Sequence, residues 1–297
     1  MNTFSLALRN LLRNYRRSLG TLLAMLVGAV TILLFGGYSQ ALNLGLQTGF
    51  VQSSGHLQIQ HKDYFLYGNG NPAAYGIANY PALLSLLKKD PVLAPMLNVV
   101  TPTLSLGGIA GNFSAGVSRT VLGHGAVVED QNKLRLWNDY DFALKPKKSA
   151  LTGTAEDSVV IGSGVARVLA LCAALQVKNC PQPKVEVSKG ADAPADVMAL
   201  SEGASSKVAT GRIEMLAANA HGAPNVAALT VVKAETIGVK ELDDMFVGLH
   251  LSQAQKLIYG AGTPQVTAIV LQLKHSSQMA AASARLAVLL ADQPLEV

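Results

Sequence analysis

The chain has 297 residues, of which 49% are hydrophobic, 14% charged and 5% aromatic, and its formal net charge is +5. Its length allows one large domain or two small ones, and so apolar a balance points to a membrane segment. Four arginines (Arg9, Arg13, Arg16, Arg17) and no acid lie within residues 1–38; removing them from the 24 basic residues leaves 20 against 19 acidic. The excess charge is therefore an N-terminal feature, and it gives no support for a nucleic-acid surface.

After Arg17 no Asp, Glu, Lys or Arg occurs until Lys62. Within this window Leu19 to Tyr38 is uniformly apolar or small. A helix rising ~1.5 Å per residue covers about 30 Å there, one hydrocarbon thickness. With every nearby arginine on its N-terminal side, the positive-inside rule expects residues 1–18 in the cytoplasm and the chain after Tyr38 outside it. A cleaved signal peptide is the rival reading, with Ser39-Gln40-Ala41 as the small-x-small site, but the apolar run is longer than such segments need. Ahead of the span, Leu8, Leu11, Leu12 and Tyr15 recur at helical spacing, with the arginines mostly off that face. The segment suits an amphipathic helix against anionic membrane lipid, or ordinary topogenic charge.

Beyond Tyr38 the uncharged run predicts a helical stalk to about Phe50. G-H-L-Q-I-Q-H then alternates with period two, as in a half-buried strand that would turn His56 and His61 to opposite faces. Asn79 before Tyr80-Pro81, with Lys88-Lys89 ahead of Pro91, predicts a short capped helix. Val99-Val100 and Arg119–Leu122 read as strands around a glycine-rich stretch, 107–116. A polar linker follows at 144–157. V-V-I-G-S-G-V-A-R (159–167) is a strand, turn and helix; Arg167 stands where a dinucleotide fingerprint needs its third glycine, so a structural turn is favoured.

Cys172 and Cys180 are the only cysteines. Outside the cytoplasm a short-loop disulfide is expected, with two free thiols as the alternative, and a C-x-x-C zinc pattern is absent. Residues 226–234 and 246–249 read as strands, followed by a helix that opens on a capping box, Ser252-x-x-Gln255. Residues 266–273 read as a strand and 276–291 as a helix. Between two of these strands V-K-E-L-D-D-M-F (239–246) places Glu241, Asp243 and Asp244 close together. Adjacent aspartates diverge on a strand and lie about 100° apart on a helix, so they cannot easily clamp one ion. A polar turn, its carboxylates satisfying backbone N–H groups or pairing with Lys233 or Lys240, is the simpler reading. The six histidines are scattered, and no G-x-S-x-G or H-E-x-x-H occurs. No catalytic residue, metal site or cofactor is expected.

Three stretches together resemble the MacB/FtsX-like family of bacterial ABC transporter permeases, in its lipoprotein-releasing branch. They are A-L-R-N-L-L-R-N-Y-R-R-S-L-G-T-L-L-A-M (7–25), S-S-G-H-L-Q-I-Q-H-K-D-Y-F (53–65) and V-K-E-L-D-D-M-F-V-G-L-H-L-S-Q-A-Q-K-L-I (239–258). The resemblance implies an α+β protein: a cytoplasmic segment (1–18), a transmembrane helix (19–38) and a two-lobed periplasmic α/β core (39–297). Lobe one would take about 51–124 and 226–297, and a variable lobe about 125–225. Glu241, Asp243 and Asp244 would form a family-signature turn. The family implies residence in the inner membrane, a cytoplasmic ABC ATPase subunit, a second permease subunit (homo- or heterodimer) and an envelope lipoprotein or peptide as substrate. Such a permease passes ATP-driven motion to its periplasmic domain and makes or breaks no bonds itself. Members carry three further transmembrane helices after that domain. This sequence reads to Pro294-Leu295-Glu296-Val297 without them, as a fragment or a natural truncation, so ATPase contact is expected through residues 1–18. An autonomous membrane-tethered binding or scaffold module is the alternative.

Overall fold

The computed structural model describes Ser5, Arg9, residues 13–68, 70–143 and 145–177, Cys180, and residues 211–297. Leu8, Leu11 and Leu12 of the expected amphipathic face lie outside the described residues. Two compact units are present: residues 1–50 with 140–142, and residues 51–139 with 143–297.

The first unit is dominated by helix α1, Tyr15–Ser54, whose last four residues belong to the second unit. Its most apolar window has a mean hydropathy of 2.3, with none of the window buried. At ~1.5 Å per residue the 40-residue helix is about 60 Å long, so the expected span and stalk form one uninterrupted element. Thr21 and Thr31 bond back to carbonyls of the preceding turn, of Ser18 (2.9 Å) and Val27 (2.7 Å), which hides their hydroxyls in an otherwise apolar surface. Tyr140 bonds Gln47 through its hydroxyl at 3.2 Å within the same unit.

Among the described residues the second unit is built on one sheet of nine strands. In chain order it holds β1 (Leu57–His61), α2 (Tyr64–Tyr67), α3 (Tyr80–Lys89), β2 (Leu97–Asn112), β3 (Val117–Ala126), α4 (Val128–Leu134), β4 (Ser158–Gly162) and α5 (Ser163–Val168). Then come β5 (Arg212–Ala218), β6 (Pro224–Glu235), α6 (Lys240–Asp243), β7 (Phe246–His250), α7 (Leu251–Tyr259), β8 (Ala268–Leu273), α8 (Met279–Leu289) and β9 (Leu295–Glu296). The strand order is β3-β7-β4-β6-β5-β2-β8-β1-β9, and β3 also pairs with β2. Strands β2, β3, β7, β4, β6 and β5 thus close into a ring, which leaves no free edge among them.

The long β2 makes this possible. Its first half, from Leu97 to Thr103, pairs with β8; further on, Thr103–Asn112 pairs with β3, and Ile109–Gly111 also pairs with β5. Glycines 107, 108 and 111, in the glycine-rich stretch between the two expected strands, are therefore inside a strand, and the turn is confined to 113–116. Gly108 is required by close approach: a Cβ there would meet the Leu216 carbonyl oxygen at 2.6 Å. The described strands of the expected variable lobe, β4 and β5, interleave with β6 and β7 in the same ring, so the sheet has no break near 124 or 226.

Burial follows residue type. Strand β5 alternates, with Ile213, Met215 and Ala217 inside, whereas β4 and β8 are buried throughout. Leu104, Ile161, Leu229, Leu249 and Leu257 are among the fully buried side chains of the core. Helix α3 forms where expected with Pro81 in its first turn, but Asn79 makes no side-chain cap. Helix α7 starts at Leu251 instead of Ser252, and the expected capping box is not formed. Gln255 instead reaches Tyr80 and the Gln265 carbonyl, because tertiary partners outcompete the local cap. The capping box occurs at His275 and Gln278, ahead of α8.

Candidate functional site

The residues singled out by sequence fall in three places. Arg9, Arg13, Arg16 and Arg17 are exposed, with Arg16 over the Tyr15 ring at 5.9 Å. Cys172 and Cys180 form a disulfide. Residues Lys240–Asp243 form one helical turn, α6, instead of an irregular polar turn.

Within that turn the three acids have different surroundings. Glu241 is exposed and Asp243 is buried. Asp243 accepts the backbone N–H groups of Ser163 (3.1 Å) and Ile237 (2.9 Å) on one oxygen and of Gly164 (2.8 Å) on the other. It fills the start of α5, where a dinucleotide phosphate would need to sit. The glycines of G-S-G let α6 approach: a Cβ on Gly162 would collide with the Asp243 carbonyl oxygen, and one on Gly164 with the Asp244 carboxylate. Asp244 offers its carbonyl to Arg119 Nε at 3.2 Å. The two aspartates thus do separate structural work. Among the described residues no group of three His, Cys, Asp or Glu is placed to hold a metal.

A second constellation, which sequence reasoning missed, lies where α1 enters the second unit. Strand β8 is an apolar run broken by Gln272, whose side chain is fully buried. A buried amide must find partners. Gln272 Nε2 donates to the carbonyls of Val51 (3.1 Å) and Leu134 (2.9 Å), and its oxygen accepts from Asn98 at 2.7 Å. Next to it Gln52 Nε2 donates to the Trp137 carbonyl at 2.7 Å. The Trp137 indole N–H in turn donates to the Lys274 carbonyl at 3.0 Å. The last turn of α1 is thereby tied to β8 and to the chain after α4.

His56 extends the network. Its Nδ1 accepts the Leu273 N–H at 3.0 Å, its Nε2 lies 3.2 Å from Ser276 Oγ, and its ring meets Trp137 edge-on at 5.0 Å. It precedes β1 instead of lying on it, so the expected opposition to His61 across a strand does not arise. Asp139 accepts the Ser276 N–H at 2.9 Å and contacts His275 Nδ1 at 2.7 Å. Burial pushes the His56 pKa below its usual value, against the opposing pull of Asp139. Burial resists ionisation of Asp139, but the Ser276 N–H, His275 and His56 together hold its carboxyl below the usual range.

Ser276, His56 and Asp139 look like a nucleophile set, yet their hydrogen bonds oppose that use. A neutral His56 that accepts at Nδ1 carries its proton on Nε2, so it donates toward Ser276 and cannot take the hydroxyl proton. Asp139 holds Ser276 and His275, not the far nitrogen of His56. The arrangement is a clamp. Sequence spacing could not have found it, since its partners lie up to 221 positions apart.

No protein-family model and no curated protein matches the chain. Among solved structures the chain is similar to the extracellular domain of YknZ, a noncanonic ABC-type transporter from Gram-positive bacteria. The TM-score is 0.41 and the identity 13%, over 81% of this chain and 98% of that one.

Proposed function

We propose that the chain is a membrane-anchored subunit of an ABC transporter, of the permease type, with residues 1–18 in the cytoplasm and the sheet-rich unit outside. Motion driven by a cytoplasmic ATPase is passed along α1 to that unit, which handles an envelope substrate such as a lipoprotein or peptide. The observation that carries this reading is the foot of α1. A 40-residue, largely exposed and apolar helix continues without interruption into a last turn that belongs to the sheet-rich unit, where Val51 and Gln52 are hydrogen-bonded within that unit. A simple tether needs no such fixture, because a flexible linker holds a domain at a membrane equally well. The three sequence stretches that resemble MacB/FtsX-like permeases supply the ATPase and the lipoprotein-releasing role. In this reading the chain carries out no bond chemistry of its own.

The test is purification of the tagged full chain from its native membrane in mild detergent, with the bound proteins identified and ATP hydrolysis measured. An ATP-hydrolysing subunit in stoichiometric amount is the expected result. Recovery of the chain alone, or only with non-nucleotide-binding partners, would favour an autonomous tethered scaffold and overturn the proposal. Reporter fusions at residue 5 and after residue 297 give the orientation: cytoplasmic signal at the first and external signal at the second.

A further inference from the structure

We propose that the cavity beside α5 is a binding site for a small oxyanion, a carboxylate or phosphate group, held chiefly by Arg167. The cavity has a volume of about 470 Å³ and is bounded by Ser163, Arg167, Gln176, Val177, Lys233 and Thr236 among others. That volume lies within the range of small-molecule pockets.

The orphaned donor is the central observation. Arg167 Nε is buried and has no hydrogen-bond partner among the described residues. A buried unsatisfied guanidinium donor is costly, and such a group calls for a missing acceptor. The planar fork of arginine matches a carboxylate or phosphate in two bonds at once.

The neighbouring groups complete an anion's requirements. Ser163 Oγ and Thr236 Oγ1 lie 2.9 Å apart. The pair has two hydroxyl hydrogens and uses one between them, which leaves one to donate to a ligand. Lys233 adds positive charge from β6; its ammonium group contacts Glu235 at 3.2 Å and is 55% exposed, so an incoming anion can share it. Asp243 also borders the cavity, but its two oxygens are taken by three backbone N–H groups, so it is not the acceptor that Arg167 Nε lacks. Leu175 and Val177, between the two cysteines of the Cys172–Cys180 disulfide, also line the cavity and offer apolar surface to the rest of the ligand.

The same arginine that excludes a dinucleotide fingerprint thus has a use of its own. It lines the cavity from further along α5, while the backbone N–H groups at the helix start are taken by Asp243.

The test measures thermal unfolding of the full chain in detergent against inorganic phosphate and, separately, acetate, at constant ionic strength with chloride as the reference. A ligand that binds only the folded state raises the midpoint saturably. The wild type should respond to at least one anion, and the responding arm tells phosphate from carboxylate. Arg167→Gln should lose the response while keeping an unfolding midpoint near that of the wild type without anion, because the side chain is only half-buried and gives up no hydrogen bond from its Nε. If Arg167→Gln does not fold, Arg167→Lys keeps the charge without the fork, and apparent affinity should fall about tenfold or more. A wild type that responds to neither anion, or a variant that responds as the wild type does, would overturn the proposal.

Discussion

Gln272→Leu tests the clamp at the foot of α1 most simply. Leucine keeps nearly the same volume in a fully buried position but removes the amide that holds Val51 and Leu134. Neither carbonyl is orphaned by the change, because Gly55 N–H still reaches Val51 (3.1 Å) and Trp137 N–H still reaches Leu134 (3.2 Å). The bond from Asn98 is lost as well, but Asn98 is exposed and its amide can turn to water, so the expected loss is chiefly that of the two buried bonds, about 1 kcal/mol each, instead of full desolvation penalties. About 2 kcal/mol corresponds to a roughly 30-fold shift in the unfolding equilibrium. For a unit of this size the midpoint should fall by about 4–8 °C. Trp137 is the only tryptophan and sits in the clamp, so its emission reports both the midpoint and any local loosening. Urea and thermal unfolding of the full chain in detergent should show a lower midpoint and red-shifted native emission. A variant with wild-type midpoint and emission would mean that Gln272 does not hold the junction.

Asp243→Asn turns an accepting oxygen into a donor facing backbone N–H groups, and should cost about 2 kcal/mol or more in chemical denaturation. Asp244→Asn, whose side chain makes no hydrogen bond among the described residues, should stay within about 0.5 kcal/mol. Gly162→Ala drives a methyl group into the Asp243 carbonyl oxygen and should destabilise by about 1–3 kcal/mol, seen as a lower thermal midpoint. The lowered pKa of His56 sets a pH dependence. Below the ordinary value of 6.5 the unfolded chain takes up a proton that the folded ring resists. Stability contributed by His56 is therefore complete above that pH and declines as pH falls through it. Unfolding midpoints between pH 7.5 and 5 should drop for the wild type and drop less for His56→Gln. Reducing the Cys172–Cys180 disulfide should lower stability by about 2–3 kcal/mol, measured with and without reductant, and a change below the error of the measurement would count against it.

Features whose cause is local were legible in the sequence. The absence of charge between Arg17 and Lys62 marks α1, and the alternation of L-Q-I-Q-H marks β1. Asp243 could be read as a residue that serves backbone N–H groups, because its spacing from Asp244 argued against a shared ion. Which N–H groups it serves could not be read, since two of the three belong to α5, about 80 positions earlier. Glycines 107, 108 and 111 misled for the same reason. Alone they signal a loop, and only the approach of Leu216 shows that one of them is in a strand because nothing larger fits. Gln272 carried a weak signal, a lone amide in an apolar strand, but its meaning depended on Val51 and Leu134. Ring closure of the sheet likewise depends on β2 pairing along both edges, a non-local fact.

The central claim is that motion passes through the foot of α1 into the sheet unit. Amide hydrogen exchange on the chain purified with the ATPase proposed above, compared between nucleotide-free and vanadate-trapped states, measures this directly. The account predicts a change in protection at residues 51–56, 134–139 and 270–276 on trapping, lost in Gln272→Leu. Identical exchange in these three segments in both states, with the ATPase active and bound, would contradict it.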